Sequence, residues 1–373
     1  MRIACWGYYG KQNLGDDLIL AELCKNIRRY ALKAQITVFS DAQSLEYAYQ
    51  GGKVICCPRS AKELLRASMT HDILICGPGG LMPQRSTGKL LLWVALALIM
   101  KIRRRSLLFL GLGIGQKNFY HAIDRILFRL LTRWSCAFTV RQEGVNAALK
   151  TDGIQETADV VFAMETNEEH KRQEKMAVLS LANVFGNTAV EEQEKFLTGI
   201  TEIVQDLTTQ GYTVHFVEFT KGSDMYLYRQ ILGHLPATAN VKVHPYNPDP
   251  YTVVELFQNA EICVCMRFHA LVLAALTHTP CCAISYSDKM DDVARRLDLE
   301  EYIVKICPIG NLYYGRLISF DIQEFSNILK RLIEDKDAVR EKLESNVLTL
   351  REKAQMNWNV LSDVIHLYNK KGE

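Results

Sequence analysis

The sequence predicts an α/β protein of two doubly wound, parallel-sheet domains followed by a helical tail, and three observations predict it. Short apolar segments alternate with helix-length segments through both halves of the 373-residue chain. A wholly polar stretch, residues 166–175, interrupts the alternation once before it restarts at Ala177. Glycine-rich turns follow three of the strand candidates in the first half. Strands apolar on both faces and separated by helix-length connections imply parallel sheets covered on each side. The chain is also too long for one ordinary core.

In order from the N-terminus, the first strand candidates are Arg2–Trp6, Ile36–Phe39, Val54–Cys57, Ile73–Cys76, Leu107–Ile114 and Phe138–Arg141. They define a first domain over residues 1–165, with a linker over 166–176. The second set is Ala177–Val184, Thr213–Phe219, Val241–His244, Ile262–Met266 and Cys281–Tyr286, a domain over 177–321. From Ile322 the periodicity is helical and charged, so residues 322–373 form a helical C-terminal tail. Ligands of doubly wound folds bind outside the carboxyl ends of the strands, which puts the expected site in a central cleft that the two domains face.

Composition narrows the class. Apolar residues make up 48% and charged residues 23%, the proportions of a soluble globular protein. The net charge of +2 hides an asymmetry: residues 1–165 carry 22 Lys/Arg against 13 Asp/Glu, the remainder 22 against 29. A basic half implies an anionic partner. With neither zinc-ligand spacing nor an aromatic RNA-binding strand motif, nucleic acid is not expected. Eleven cysteines form no C-x-x-C pair, and the N-terminus reads as a strand without a secretory pattern, so a reducing, cytoplasmic location is expected. Leu90 to Met100 is an unbroken apolar run, followed by Lys101-Ile102-Arg103-Arg104-Arg105. It is too short to span a bilayer. The first reading is a buried helix with a solvated basic end. The second is peripheral contact of Leu90–Arg105 with an anionic membrane at the inner face of the plasma membrane.

Three loops and one junction carry candidate chemistry. Gly7-Tyr8-Tyr9-Gly10-x-x-Asn13-x-Gly15-Asp16-Asp17 follows the first strand and precedes a helix predicted over Leu18–Arg28. It is neither a Walker loop nor a dinucleotide fingerprint; Asn13 or Asp16 would cap the helix. Gly77-Pro78-Gly79-Gly80 and Gly111-Leu112-Gly113-Ile114-Gly115 close two further strands at the same sheet edge. In the second half, Cys265-Met266-Arg267-Phe268-His269-Ala270-Leu271 ends a strand and opens a helix. Backbone N–H groups at a helix start favour an anion, a guanidinium adds a planar fork, and an imidazole moves protons near neutral pH.

Taken together, these segments resemble the polysaccharide pyruvyl transferase family, most closely its bacterial cell-wall, surface-layer-anchoring branch. The resemblance also covers Thr139-Val140-Arg141, Ala158-Asp159-Val160-Val161-Phe162 and Ile284-Ser285-Tyr286-Ser287-Asp288-Lys289, and runs in order from residue 1 to about 290. It implies a GT-B-like fold of two Rossmann-like domains, with the acceptor on the N-terminal side and the donor on the C-terminal side. It also implies transfer of pyruvate from phosphoenolpyruvate (PEP) to two sugar hydroxyls as a cyclic ketal, with no further cofactor. By matching position Arg141, Arg267 and Lys289 would bind the donor, with His269 and Arg267 catalytic. The implied acceptor is a lipid-linked or nucleotide-linked amino-sugar glycan. The first half departs from the family at Gln84-Arg85 and at Gln116, which stands where a proline is usual.

Two other readings compete: a GT-B glycosyltransferase using a nucleotide sugar, and a non-enzymatic glycan-binding module. For the first reading, Arg267→Ala and His269→Ala are expected to abolish transfer while costing less than about 1 kcal/mol of stability.

Overall fold

The structure, a computed structural model, describes residues 1–40, 54–80, 87–114, 122–149, 151, 153–166, 172–186, 188–306 and 320–370. Gly115 and residues 84, 85 and 116, singled out above, lie outside the described residues. The chain divides into two compact units. One comprises Met1–Lys11, Asp16–Met164 and Thr349–Glu373, and the other Gln12–Gly15 and Glu165–Leu348.

The first unit is built on seven parallel strands: β1 (Arg2–Tyr9), β2 (Gln35–Ser40), β3 (Val54–Cys57), β4 (Ile73–Cys76), β5 (Ser106–Leu112), β6 (Ala137–Val140) and β7 (Gln155–Glu156). Their order is β3-β2-β1-β4-β5-β6-β7. The connections carry α1 (Leu14–Tyr30), α2 (Ala61–Thr70), α3 (Thr87–Ile102), α4 (Ala122–Trp134) and α5 (Val145–Leu149). The sheet interior follows the apolar runs: all four residues of β4 are buried, and Cys5 pairs with Ile75 across β1 and β4. Over one face, Trp93 of α3 meets Phe109 at 5.4 Å between ring centroids, and Phe109 stacks on Phe138 at 4.7 Å. α3 buries Leu90, Trp93, Val94, Leu96, Ala97 and Met100. Among the described residues no helix is long and apolar enough to cross a membrane.

The second unit repeats the plan with six parallel strands: β8 (Met176–Ser180), β9 (Thr213–Val217), β10 (Val241–His244), β11 (Ile262–Cys265), β12 (Cys281–Ser285) and β13 (Ile303–Lys305). The order is β10-β9-β8-β11-β12-β13. Its helices are α6 (Val190–Thr209), α7 (Ser223–His234), α8 (Thr252–Asn259), α9 (Phe268–Leu276), α10 (Asp288–Arg296) and α11 (Ile322–Glu334). A final helix, α12 (Lys336–Lys370), contributes its residues up to Leu348 to this unit and those from Thr349 to the first. Within the first unit Asn357 of α12 is fully buried. Its side-chain oxygen accepts the hydroxyls of Thr139 at 2.5 Å and Thr157 at 3.2 Å, and its amide donates to the Ala158 carbonyl at 3.2 Å.

Both sheets reverse strand order beside their first strand, between β1 and β4 and between β8 and β11. A crevice opens at such a reversal because successive connections leave on opposite faces. The loops after β1 and β4 are the first two glycine loops, and the segment after β11 is the Arg267–His269 junction.

Candidate active site

In the second unit β11 stops at Cys265 and α9 starts at Phe268, so Arg267 is the cap residue in extended conformation (φ −83°, ψ 136°) and His269 lies in the first turn. Backbone pairing places the junction: the Met266 N–H donates to the Ser180 carbonyl at the end of β8 (2.8 Å). α9 is buried almost throughout, so its axis is fixed by packing and its N-terminus is held at the strand-end edge.

Arg267 does not stand alone there. Its Nε donates to Asp224 Oδ2 at 3.1 Å, and its Nη2 donates to Asp224 Oδ1. Asp224 opens α7 and is fully buried. Its Oδ2 also accepts the backbone N–H groups of Phe219 (3.0 Å) and Thr220 (2.8 Å). Burial pushes the Asp224 carboxyl above its ordinary range, against the pull of the Arg267 guanidinium and the two N–H groups. Burial works the other way on Arg267, but the facing carboxylate outweighs it and raises the guanidinium, which stays charged. The fork of Arg267 is thus spent on Asp224, with the Nη1 edge outside the pair. This revises one expectation. Removing the guanidinium strands a buried carboxylate, a change that typically costs about 3–5 kcal/mol, so Arg267→Ala is not a mild substitution.

The residues Gln12–Gly15 pack within this unit. Asn13 Nδ2 donates to Thr220 Oγ1 (3.1 Å), Leu14 N–H to the Phe219 carbonyl (2.9 Å), and Lys221 N–H to the Gln12 carbonyl (3.1 Å). Asn13 Oδ1 accepts the Gly15 N–H at 3.1 Å, the cap geometry that starts α1 at Leu14, four residues before the predicted start. Gly15 lies directly against His269: a Cβ there would fall 2.0 Å from Nδ1 and 2.6 Å from Cγ. Real Cβ atoms do not approach so closely, so glycine is needed for the imidazole to occupy its place.

Lys289, on the first turn of α10, holds its ammonium 5.2 Å from the Phe268 ring centroid, and Phe268 sets its ring edge-on to His269 at 5.0 Å. Tyr286 adds an electrostatic contact to Arg267. Arg267, His269 and Lys289 therefore gather at one strand-end edge, backed by Gly15. Arg141 belongs to the first unit, where it is 7% exposed, donates to Asp159 Oδ2 at 2.5 Å, and lies 3.0 Å from where a Cβ of Gly113 would be.

The other glycine-loop residues line the strand ends of the first unit. Gly79 (φ +119°) takes a conformation that side chains avoid, and its carbonyl accepts the Gly113 N–H at 2.9 Å. A Cβ on Gly79 would come 3.8 Å from Asp16 Oδ1, while one on Gly80 would meet open space. Gly7 yields room to the Tyr9 ring, whose hydroxyl donates to the Gly77 carbonyl at 2.8 Å. Gly10 (φ +75°) turns the chain at the end of β1, after Tyr9. Tyr8 is 47% exposed, and the Arg59 guanidinium lies 5.3 Å over its ring. Sequence reading passed over Arg59, Asp224 and Thr220. The only legible hint for Asp224 was its place two residues after Gly222 at a helix start; nothing local marked Arg59. Among the described residues no group of three or more His, Cys, Asp or Glu could hold a metal ion.

A family profile described as polysaccharide pyruvyl transferase matches residues 13–288. A search of curated proteins finds no significant match. Among solved structures, the chain is similar to the UDP-GlcNAc 2-epimerase of Neisseria meningitidis bound to UDP-GlcNAc, with TM-score 0.60 and 11% identity over 97% of this chain and 99% of that one. It is similar to Anabaena HepE in complex with UDP, with TM-score 0.54 and 15% identity over 100% and 99%. A third is the lipopolysaccharide outer core galactosyltransferase WaaB, with TM-score 0.52 and 12% identity over 98% and 99%. At such identities the likeness shows the fold, which is GT-B-like with two Rossmann-like units.

Proposed function

The chain belongs to the polysaccharide pyruvyl transferase family, and on that premise we propose that it moves the pyruvyl group of PEP onto two hydroxyls of a sugar, releasing phosphate. The observation that carries the proposal is the cluster of Arg267, His269 and Lys289 at the start of α9 and α10, with Gly15 against the imidazole.

The chemistry needs little more. PEP brings a carboxylate and a phosphate. The Nη1 edge of Arg267, the Lys289 ammonium and the N-terminus of α9 supply positive charge for them, each charge-assisted hydrogen bond contributing about 1.5–3 kcal/mol. A proton is added to the methylene carbon of PEP while a sugar hydroxyl attacks the neighbouring carbon and loses its own proton. The C–O bond to phosphate then breaks, and the second hydroxyl closes the ring, its proton leaving with the phosphate. His269 moves a proton in the first step, worth about 10²–10⁴-fold. Asp224 acts through Arg267 as a positioning residue. Arg141, held by Asp159, is a further donor-binding residue in this reading. The acceptor in this reading is an amino-sugar glycan of a cell-wall polymer, carried on a lipid or nucleotide. UDP and UDP-GlcNAc in the structures of similar fold support a glycan substrate.

The same nucleotides favour a second reading, sugar transfer from a nucleotide sugar. Ligand-observed NMR with PEP and with UDP separates the two, using wild type, Lys289→Ala and His269→Ala. Lys289→Ala is expected to weaken PEP contact about tenfold or more, the loss of one charged hydrogen bond. His269→Ala is expected to keep PEP contact yet abolish phosphate release with acceptor. Contact with UDP and none with PEP would replace pyruvyl transfer by glycosyl transfer.

A further inference from the structure

Seven of the fourteen exposed large apolar side chains among the described residues lie on just three neighbouring helices of the first unit, α2, α3 and α4. On α3, Leu91 (51% exposed), Leu98 (41%) and Ile102 (72%) share one stripe with Ala95, spaced by three and four residues and about 16 Å long. α4 adds Ile123 and Ile126, and α2 adds Leu65 and Met69. The opposite side of α3 buries Trp93 and its aliphatic neighbours in the core, so folding does not use the outer stripe.

The exposed charges around that stripe have one sign. Exposed basic side chains border it: Arg66 on α2, Lys89 and Lys101 on α3, and Arg125, Arg129 and Arg133 on α4. Residues 86–134 contain nine basic residues and one acidic residue, Asp124. Asp124 is 6% exposed and turned inward to accept the Thr87 hydroxyl at 2.8 Å. Arg103 and Arg105 are engaged locally, with the Ser68 carbonyl and with Asp72, and Glu63 of α2 faces Arg66 at 3.8 Å.

We infer that this α2–α3–α4 face docks on the surface of a bilayer bearing anionic headgroups. An exposed aliphatic stripe ringed by Lys and Arg matches an acyl boundary beneath negative headgroups. A second copy of the chain, joined through the same patch, would bring like charges together. A nucleic acid would meet the charges but find aliphatic side chains where stacking needs aromatic ones. The contact is peripheral, since α3 has only 16 residues. It uses none of the residues assigned to pyruvyl transfer.

The test is flotation of the full chain with vesicles of phosphatidylcholine, with and without phosphatidylglycerol, at low and high salt. The expected result is co-flotation with the anionic vesicles at low salt, reduced at high salt. Leu98→Glu with Ile102→Glu should lower membrane affinity at least about tenfold, the effect of withholding even one of the two aliphatic side chains from the acyl boundary. Both positions are exposed, so circular dichroism and light scattering should report an unchanged fold and mass. No flotation at low salt, equal flotation with neutral vesicles, or flotation untouched by the double substitution would overturn the inference. A mass that halves in the double variant would assign the face to a second copy and overturn it equally.

Discussion

At the scale of single residues, the place where Gly15 would carry a side chain is filled by the imidazole of His269. Methylating that position forces either the loop or the ring to move by about 1 Å or more, enough to cost on the order of 10²-fold in a positioned proton transfer. Gly15→Ala is therefore expected to lower the pyruvyl-transfer rate about 10²-fold and to cost about 1–3 kcal/mol of stability as the clash is relieved, with PEP contact retained; a variant of wild-type rate would detach the loop from the chemistry. The sequence marked Gly15 as a loop glycine and His269 as a proton carrier, but no pattern linked residues 254 positions apart. Arg267 tells the same story from the other side. Its residue type and helix-start position were legible, whereas its carboxylate partner Asp224 lies on another helix after another strand. A local pattern specifies what a side chain can do; its partner is set by which strands become neighbours.

At the scale of elements, three four-residue strands were read to the residue: β3, β4 and β10 have the bounds that the pattern implies. The strands without a pattern were missed. β7 has two residues and β13 three, too few to show alternation or a run. Several predicted strands also overran, because at Gly113 and from Leu181, whose N–H donates to the Tyr228 hydroxyl, the backbone leaves the ladder while the sequence stays apolar. The β9–β10 pair adds a behaviour that neither strand shows alone. His215 and His244 stack at 5.0 Å with Nδ1 and Nε2 3.0 Å apart. Burial, then the facing His244 and Lys242, lower His215 from 6.5 to about 4; His244 is lowered too, by burial and Lys242. Because these folded-state values lie below the unfolded one, the unfolded chain binds more protons in between. Their contribution to stability is thus complete above pH 6.5 and is lost as pH falls toward about 4. Urea midpoints measured across that window should decline in wild type and decline less in His215→Gln; parallel curves would remove the pair from the acid response.

At the scale of the whole molecule, the chain is two Rossmann-like units in which sequence order and spatial membership part company. Residues of α12 from Thr349 onward complete the first unit, and Asn357 there holds Thr139, Thr157 and the Ala158 carbonyl together. Asn357→Ala is expected to destabilise the first unit by about 1–3 kcal/mol, the cost of leaving buried polar groups without that partner. Chemical denaturation followed by tryptophan fluorescence would detect it; an unchanged transition would make the buried Asn merely tolerated. By itself the sequence determined the doubly wound class, the succession of long strands and helices, and the residue types of the candidate site, since apolar periodicity and glycine placement are written locally. Only the tertiary structure decided that Asp224 takes the fork of Arg267, that Gly15 backs His269 and that the last helix completes the first unit. Those contacts join segments whose separation along the chain carries no local signal, and burial of shared surface selects them.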